Sequence, residues 1–185
     1  LDGRRAEAKK LVDLLGKKFK YVAILGTDVK ATLYMADLKS SNARDGSGEC
    51  GFVVRMWNGR AYYEYSLDDI AGDTEKLAEK IAREAVPSDK VSDMEIKPSE
   101  PIDEPLVKSF IRESDFDEYT DGELLDFCKK IRDDVKAKSD KVANATGYLQ
   151  PFTVSKLFVS KNRELDQSYG WVNAMAIAVY KDGKT

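Results

Sequence analysis

The sequence predicts an α+β fold made of two helix-plus-antiparallel-sheet units joined by a Pro-rich linker. Three observations predict it. Apolar residues recur at helical spacing in separate stretches, and short apolar or alternating runs lie between them. Four of the five prolines fall within 87–105. The order helix-then-strands occurs on both sides of that stretch. The expected division is 1–86 as a helix/four-strand/helix unit, 87–105 as an extended acidic linker, and 106–185 as a helix/antiparallel-strand unit.

In EAKKLVDLLGKKF, Ala8, Leu11, Leu14, Leu15 and Phe19 form one helical stripe, and Gly16 weakens the last turn. YVAILGTD and ATLYMADL read as two strands, and SSNARDGSGE as a polar loop. GFVVRMW and RAYYEYS are strands around Asn58-Gly59, the preferred pair for a two-residue type I′ turn. That turn would set Trp57 opposite Arg60 and Phe52 opposite Tyr65. Alternation then gives an apolar face of Phe52, Val54, Met56, Ala61, Tyr63 and Tyr65, and a mixed face of Val53, Arg55, Trp57, Arg60, Tyr62 and Glu64. Ser66 with Asp69 is expected to open a helix carrying Leu67, Ile70, Leu77, Ile81 and Ala85. Thr120 and Glu123 make a capping box ahead of Leu124, Phe127, Cys128, Ile131 and Val135. Three strand candidates follow: KVANATGYL, FTVSKLFVS and GWVNAMAIAVY. The last is apolar on both faces, which predicts burial on both sides, with Ala174, Ala176 and Ala178 against a closely packed neighbour.

Composition narrows function. Hydrophobic residues make up 42% and charged ones 34%, with a net charge of −3. A pI near 5.2 argues against direct nucleic-acid binding. No apolar run reaches the ~20 residues of a membrane span. With Cys50 and Cys128 far apart and no secretion signal visible, a reducing cytoplasm is the expected location. There is no histidine, which removes the commonest general base and zinc ligand. No catalytic or metal-binding residue is therefore assigned within the chain, and no cofactor is expected in it. The match to G-x-G-x-x-G at 46–51 opens a strand instead of a helix, so it reads as a loop. The acids between Glu113 and Asp121 fail the calcium-loop register at the sixth or twelfth position. The Asn144-Ala-Thr146 sequon is read as chance. On the mixed face, Arg55, Trp57, Arg60 and Tyr62 are the candidate residues for binding a peptide or partner, with Arg60 over Trp57 as a cation–π pair.

Gly51, Val54, Arg55, Gly59, Tyr63, Ser66 and Asp68, with the DG-containing tail after LFVSKNRELDQSYGWVNAMAIAVY, resemble the N-terminal region of the TldD/PmbA family. Members of that family are named both as peptidases and as modulators of DNA gyrase. Val53 stands where a second Gly is usual. The resemblance implies a two-part protein: an N-terminal domain that helps build the subunit and its substrate passage, and a C-terminal domain with the motif His-Glu-x-x-x-His and a further Cys in the active branch. There two His and a Cys would hold zinc, and the Glu would activate its water. The resemblance further implies cytoplasmic homo- or heterodimers of family subunits that degrade unfolded peptides. The start at Leu1 and the Asp182-Gly183 turn near the end lead to the expectation that the natural polypeptide continues. A free-standing peptide- or protein-binding module without enzymatic activity is the alternative.

Overall fold

The computed structural model describes residues 1–85, 99–112, 118–181 and 183. Its elements in chain order are α1 (Arg5–Leu15), β1 (Tyr21–Ala36), β2 (Ser41–Asp45), β3 (Glu49–Trp57), β4 (Tyr62–Leu67), α2 (Thr74–Glu84), β5 (Leu106–Ile111), α3 (Asp121–Lys136), β6 (Val142–Ser160) and β7 (Arg163–Tyr180). The fold is α+β. The strands hydrogen-bond in the order β4-β3-β1-β6-β7-β5, with β2 on β1. Among the described residues, no helix is long and apolar enough to cross a membrane.

Two compact units emerge, each assembled from three segments. Unit 1 comprises Leu1–Asp28, Glu49–Ile111 and Ser155–Ser168; unit 2 comprises Val29–Gly48, Arg112–Val154 and Tyr169–Thr185. This interleaving differs from the contiguous division at 1–86, 87–105 and 106–185. The physical cause is strand length. β1, β6 and β7 run 16, 19 and 18 residues, and each gives residues to both units. The two strands expected in 21–38 are one, and so are the two expected in 141–160. Of the linker, 86–98 lies outside the described residues. So do the acids at 113–117 and Asp182 of the terminal turn.

In unit 1, α1 and α2 cover the apolar face of the sheet. Ala8, Leu11, Val12 and Leu15 of α1 and Ala78 and Ile81 of α2 are buried with Val22, Ile24, Phe52, Val54 and Met56. Each large side chain among them contributes about 1.5–3 kcal/mol by leaving water. Phe19 joins this core from beyond the helix end. α2 begins at Thr74, not at Ser66, which belongs to β4. Asp69 cannot act as the expected cap: its carboxylate holds Arg4 through two hydrogen bonds of 2.6 and 2.8 Å and accepts the Ile70 and Ala71 N–H groups. Asp73 caps α2 instead, accepting from the Lys76 N–H.

The β3–β4 hairpin is also shifted. Trp57 pairs with Tyr62 and Phe52 with Leu67, two residues from the expected register. A type I′ turn needs positive φ at both central residues, and Gly59 (φ 102°) has it while Asn58 does not. Instead the Asn58 Oδ1 accepts the N–H groups of Arg60 and Ala61, closing a four-residue loop. A shift of two leaves the alternation intact, so Phe52, Val54 and Met56 still face the core and Arg55 still faces out.

Two strands appear where none was expected. β2 is an exposed polar edge on β1 within the segment read as a loop. β5 lies parallel to β7, pairing Leu106 with Arg163 through Ile111 with Ser168.

In unit 2, α3 starts with the expected capping box of Thr120 and Glu123. Leu124 and Cys128 pack on Tyr34, Ala36 and Leu149. The Tyr34 hydroxyl donates to Asp121 at 2.6 Å. Burial, then that carboxylate, raise the phenol to about 12. Residues 173–180 of β7 are exposed on both faces, contrary to the burial expected for this run; Met175, Ile177 and Val179 stand in solvent at 53%, 44% and 52% exposure. The apolar pattern is present, but no described element covers it there. Trp171 is 40% exposed and stacks between Phe152 and Tyr169.

Two outcomes follow from these contacts. A Cβ on Gly147 would lie 2.2 Å from the Cys128 carbonyl oxygen and 3.0 Å from the Ile131 Cβ. Gly147→Ala should therefore push α3 off β6 and lower stability by about 1–3 kcal/mol, read from the urea midpoint. Separately, the Arg4 guanidinium and then the Ile70 N–H hold Asp69 down at about 2. A carboxyl depressed in the folded state stabilises above its unfolded value of about 4 and loses that contribution as pH falls toward the folded value. The difference in urea midpoint between the wild type and Asp69→Asn should be full at neutral pH and shrink between about pH 4 and pH 2.

Candidate functional site

The candidate site is the end of the unit 1 sheet where the mixed face of the hairpin lies. Chain geometry gathers five strand termini there. Tyr62 opens β4, Trp57 closes β3, Tyr21 opens β1, Ser160 closes β6 and Arg163 opens β7.

The four residues singled out from the sequence meet different fates. Arg55 is exposed and donates through Nε to Glu64, its cross-strand partner, at 2.7 Å. Trp57 is only 6% exposed, and its ring lies 6.3 Å from that of Tyr62. Its Nε1 is buried and has no hydrogen-bond partner among the described residues, a cost of about 1–3 kcal/mol that the rest of the site must offset. The cation over the Trp57 ring is Lys20, at 5.8 Å, in the role expected of Arg60. The register explains this. Arg60 sits inside the four-residue loop and not opposite Trp57. Tyr62 is 38% exposed and its hydroxyl donates to the Ser99 carbonyl at 2.9 Å. Arg55, Trp57 and Tyr62 thus share one face, and Arg60 stands apart at the loop.

Residues the sequence reading did not single out complete the site. Ser160, only 6% exposed, donates its hydroxyl to Asp103. Asn162 donates to the Asp103 carbonyl at 3.0 Å and to its carboxylate at 3.2 Å. The Arg163 Nε donates to the Glu104 carbonyl at 2.9 Å. Tyr21 is raised by burial and then by the nearby Asp103 charge. Between Asp103 and the start of β1 lies a small cleft of about 240 Å³, lined also by Lys17, Lys20 and Lys161. The one signal in the sequence for this arrangement is Pro101 and Pro105 bracketing Asp103, which favour extended backbone around it.

On the other side of α1, Arg5 donates to Glu164 at 2.7 Å and to Asp166 at 3.0 Å, and Lys9 also pairs with Glu164. The ammonium of Lys9 and then the Arg5 guanidinium hold Glu164 below the usual carboxylate range. This network ties α1 to β7.

Unit 2 carries a separate apolar groove of about 600 Å³ beside α3, lined by Leu124, Phe127, Leu149, Val172 and Ala174. Phe127 is 56% exposed there.

Neither place fits a zinc centre. The chain has no histidine, Cys50 belongs to unit 1 and Cys128 to unit 2, and the described residues contain no metal-ligating group of three or more His, Cys, Asp or Glu. Cys128 is buried, which raises its thiol, and it serves the core of unit 2.

No protein-family model matches the sequence, and no curated protein matches it. Solved structures do match. A proposed modulator of DNA gyrase from Bacteroides thetaiotaomicron superposes with a TM-score of 0.69 at 12% identity, over 98% of this chain and 42% of that one. TldE from Thermococcus kodakarensis gives 0.64 at 16% identity, over 96% and 40%. A proposed modulator of DNA gyrase from Thermotoga maritima gives 0.62 at 18% identity, over 94% and 40%. This chain thus spans about two fifths of the length of the solved chains it matches. What the likeness establishes is the fold: over nearly its whole length the chain folds as part of TldE and of these two proteins does, in agreement with the resemblance of its residues to the TldD/PmbA family.

Proposed function

We propose that this chain is the non-catalytic N-terminal part of a TldD/PmbA-like metallopeptidase that processes unfolded peptides. Its contribution would be to subunit assembly and to the passage of substrate. The observation that supports this best is the shared fold over 94–98% of the chain against only 40–42% of the solved chains. A piece that accounts for about two fifths of such proteins and lacks histidine leaves bond cleavage to the remainder.

On this reading zinc belongs to a C-terminal domain of the parent protein if the parent is of the active branch. In the other branch the parent is the metal-free partner of a zinc-carrying family subunit in a cytoplasmic heterodimer, whereas subunits of the active branch also pair as homodimers. Substrate specificity would come from contacts with extended, unfolded chain. Direct nucleic-acid contact is not part of the proposal, because a net charge of −3 supplies no general phosphate-binding surface.

The natural reading frame beyond Thr185 tests the proposal. Its product, expressed with any subunit that copurifies, is expected to form a dimer, to hold about one zinc per catalytic subunit by elemental analysis, and to cleave an unfolded casein. Removal of zinc by a chelator should abolish cleavage. A reading frame that stops at Thr185, or a complete dimer with neither zinc nor cleavage, would sink the idea.

A further inference from the structure

Residues 99–105, Ser-Glu-Pro-Ile-Asp-Glu-Pro, carry no regular secondary structure, yet hydrogen bonds fasten them to the unit 1 sheet. Pro101 and Asp103 are half-buried, and Ile102 and Glu104 are exposed. This two-residue period is that of an extended chain lying on a surface. Its fastenings run in order across the end of the unit 1 sheet. The Ser99 carbonyl accepts from Tyr62 on β4, Asp103 accepts from Ser160 and Asn162 at the β6–β7 turn, the Glu104 carbonyl accepts from Arg163, and the Leu106 N–H donates to the Asn162 carbonyl.

The span agrees with the sheet. From β4 to β6 are three strand spacings, about 14 Å, and four extended residues reach about 13 Å. Charge agrees too. The segment is acidic through Glu100, Asp103 and Glu104, and the surface beneath offers Lys20, Lys161 and Arg163. Asp103 is the central anchor, because its carboxylate reaches the hydroxyl of a serine that is only 6% exposed.

We infer that this strand-end surface is a docking site for an extended acidic segment, and that in this chain residues 99–105 occupy it as a built-in ligand. They thereby occupy the Tyr62 end of the hairpin face and the polar groups of the β6–β7 turn that another polypeptide would use. Release of Asp103 opens the face, and a second segment of the same pattern then takes the vacated bonds to Tyr62, Ser160, Asn162 and Arg163. The inference goes beyond the proposed function and holds whether or not a parent protein carries zinc.

The test uses the 185-residue chain and a fluorescein-labelled peptide copying residues 99–105, with fluorescence anisotropy and hydrogen exchange as readouts. In the wild type the tethered segment outcompetes free peptide. Asp103→Ala is expected to raise exchange across 99–111 and to bind the peptide at least about ten-fold more tightly than wild type does. A peptide with Ala in place of its Asp should bind neither protein. If exchange across 99–111 does not rise in Asp103→Ala, Asp103 is not the anchor and the inference fails. If exchange rises without capture of the peptide, or if the Ala peptide is captured equally, the surface is not a docking site. Should circular dichroism show Asp103→Ala unfolded, Asn162→Ala decides. That exposed substitution removes two bonds to Asp103, and unchanged exchange in it overturns the inference.

Discussion

The rest of the structure depends on the length of three strands. β1, β6 and β7 each carry more than fifteen residues and each supplies both units. A strand that long must satisfy two separate packing problems with a single two-residue alternation. In unit 1 the alternation of β1 buries Val22 and Ile24 under α1; in unit 2 the same strand buries Tyr34 and Ala36 under α3. A one-residue slip of such a strand would carry its residues in both units onto the wrong face. Local devices then finish each unit: the Asp73 cap and the Arg4–Asp69 pair in one, the Thr120–Glu123 box and the close approach at Gly147 in the other.

This dependence also explains what could be read from the residues beforehand and what could not. The faces of the β3–β4 hairpin were legible, because period-two alternation survives a register error of two. The register itself was not, because Asn58-Gly59 suits a two-residue turn and also an Asx-closed loop; only the backbone shows Asn58 keeping negative φ. Continuity of the long strands was hidden at Val29 and Lys30 within β1, where the apolar run gives out, and at Gln150 and Pro151 within β6, which look like breaks when neighbours are unknown. The Thr120 cap was legible because both halves of the box lie within four residues, whereas Asp69 was misread because its true partner, Arg4, is 65 residues away. β5 was illegible for the same reason: its partner β7 lies more than fifty residues on, and a parallel pairing leaves no turn between them to recognise.

Of the candidate site, the aromatic and charged pattern of 55–62 named only the hairpin half. The other half comes from Ser160, Asn162 and Arg163, which sit at a turn with no motif, and from Asp103, which local composition marks only as acidic linker. Long-range polar anchoring of an extended segment has no periodic signature, so a single sequence conceals it.

The placement of the two tryptophans gives the molecule a pair of distinct optical labels. Trp57 is shielded in unit 1, under Lys20 and beside Tyr62, whereas Trp171 lies partly in water in unit 2 between Phe152 and Tyr169. A water-borne quencher such as iodide will reach the second long before the first. Emission that iodide dims therefore monitors one half of the molecule, and emission it spares monitors the other. The intrinsic fluorescence of an unlabelled sample can thus tell whether the two halves melt together or in turn.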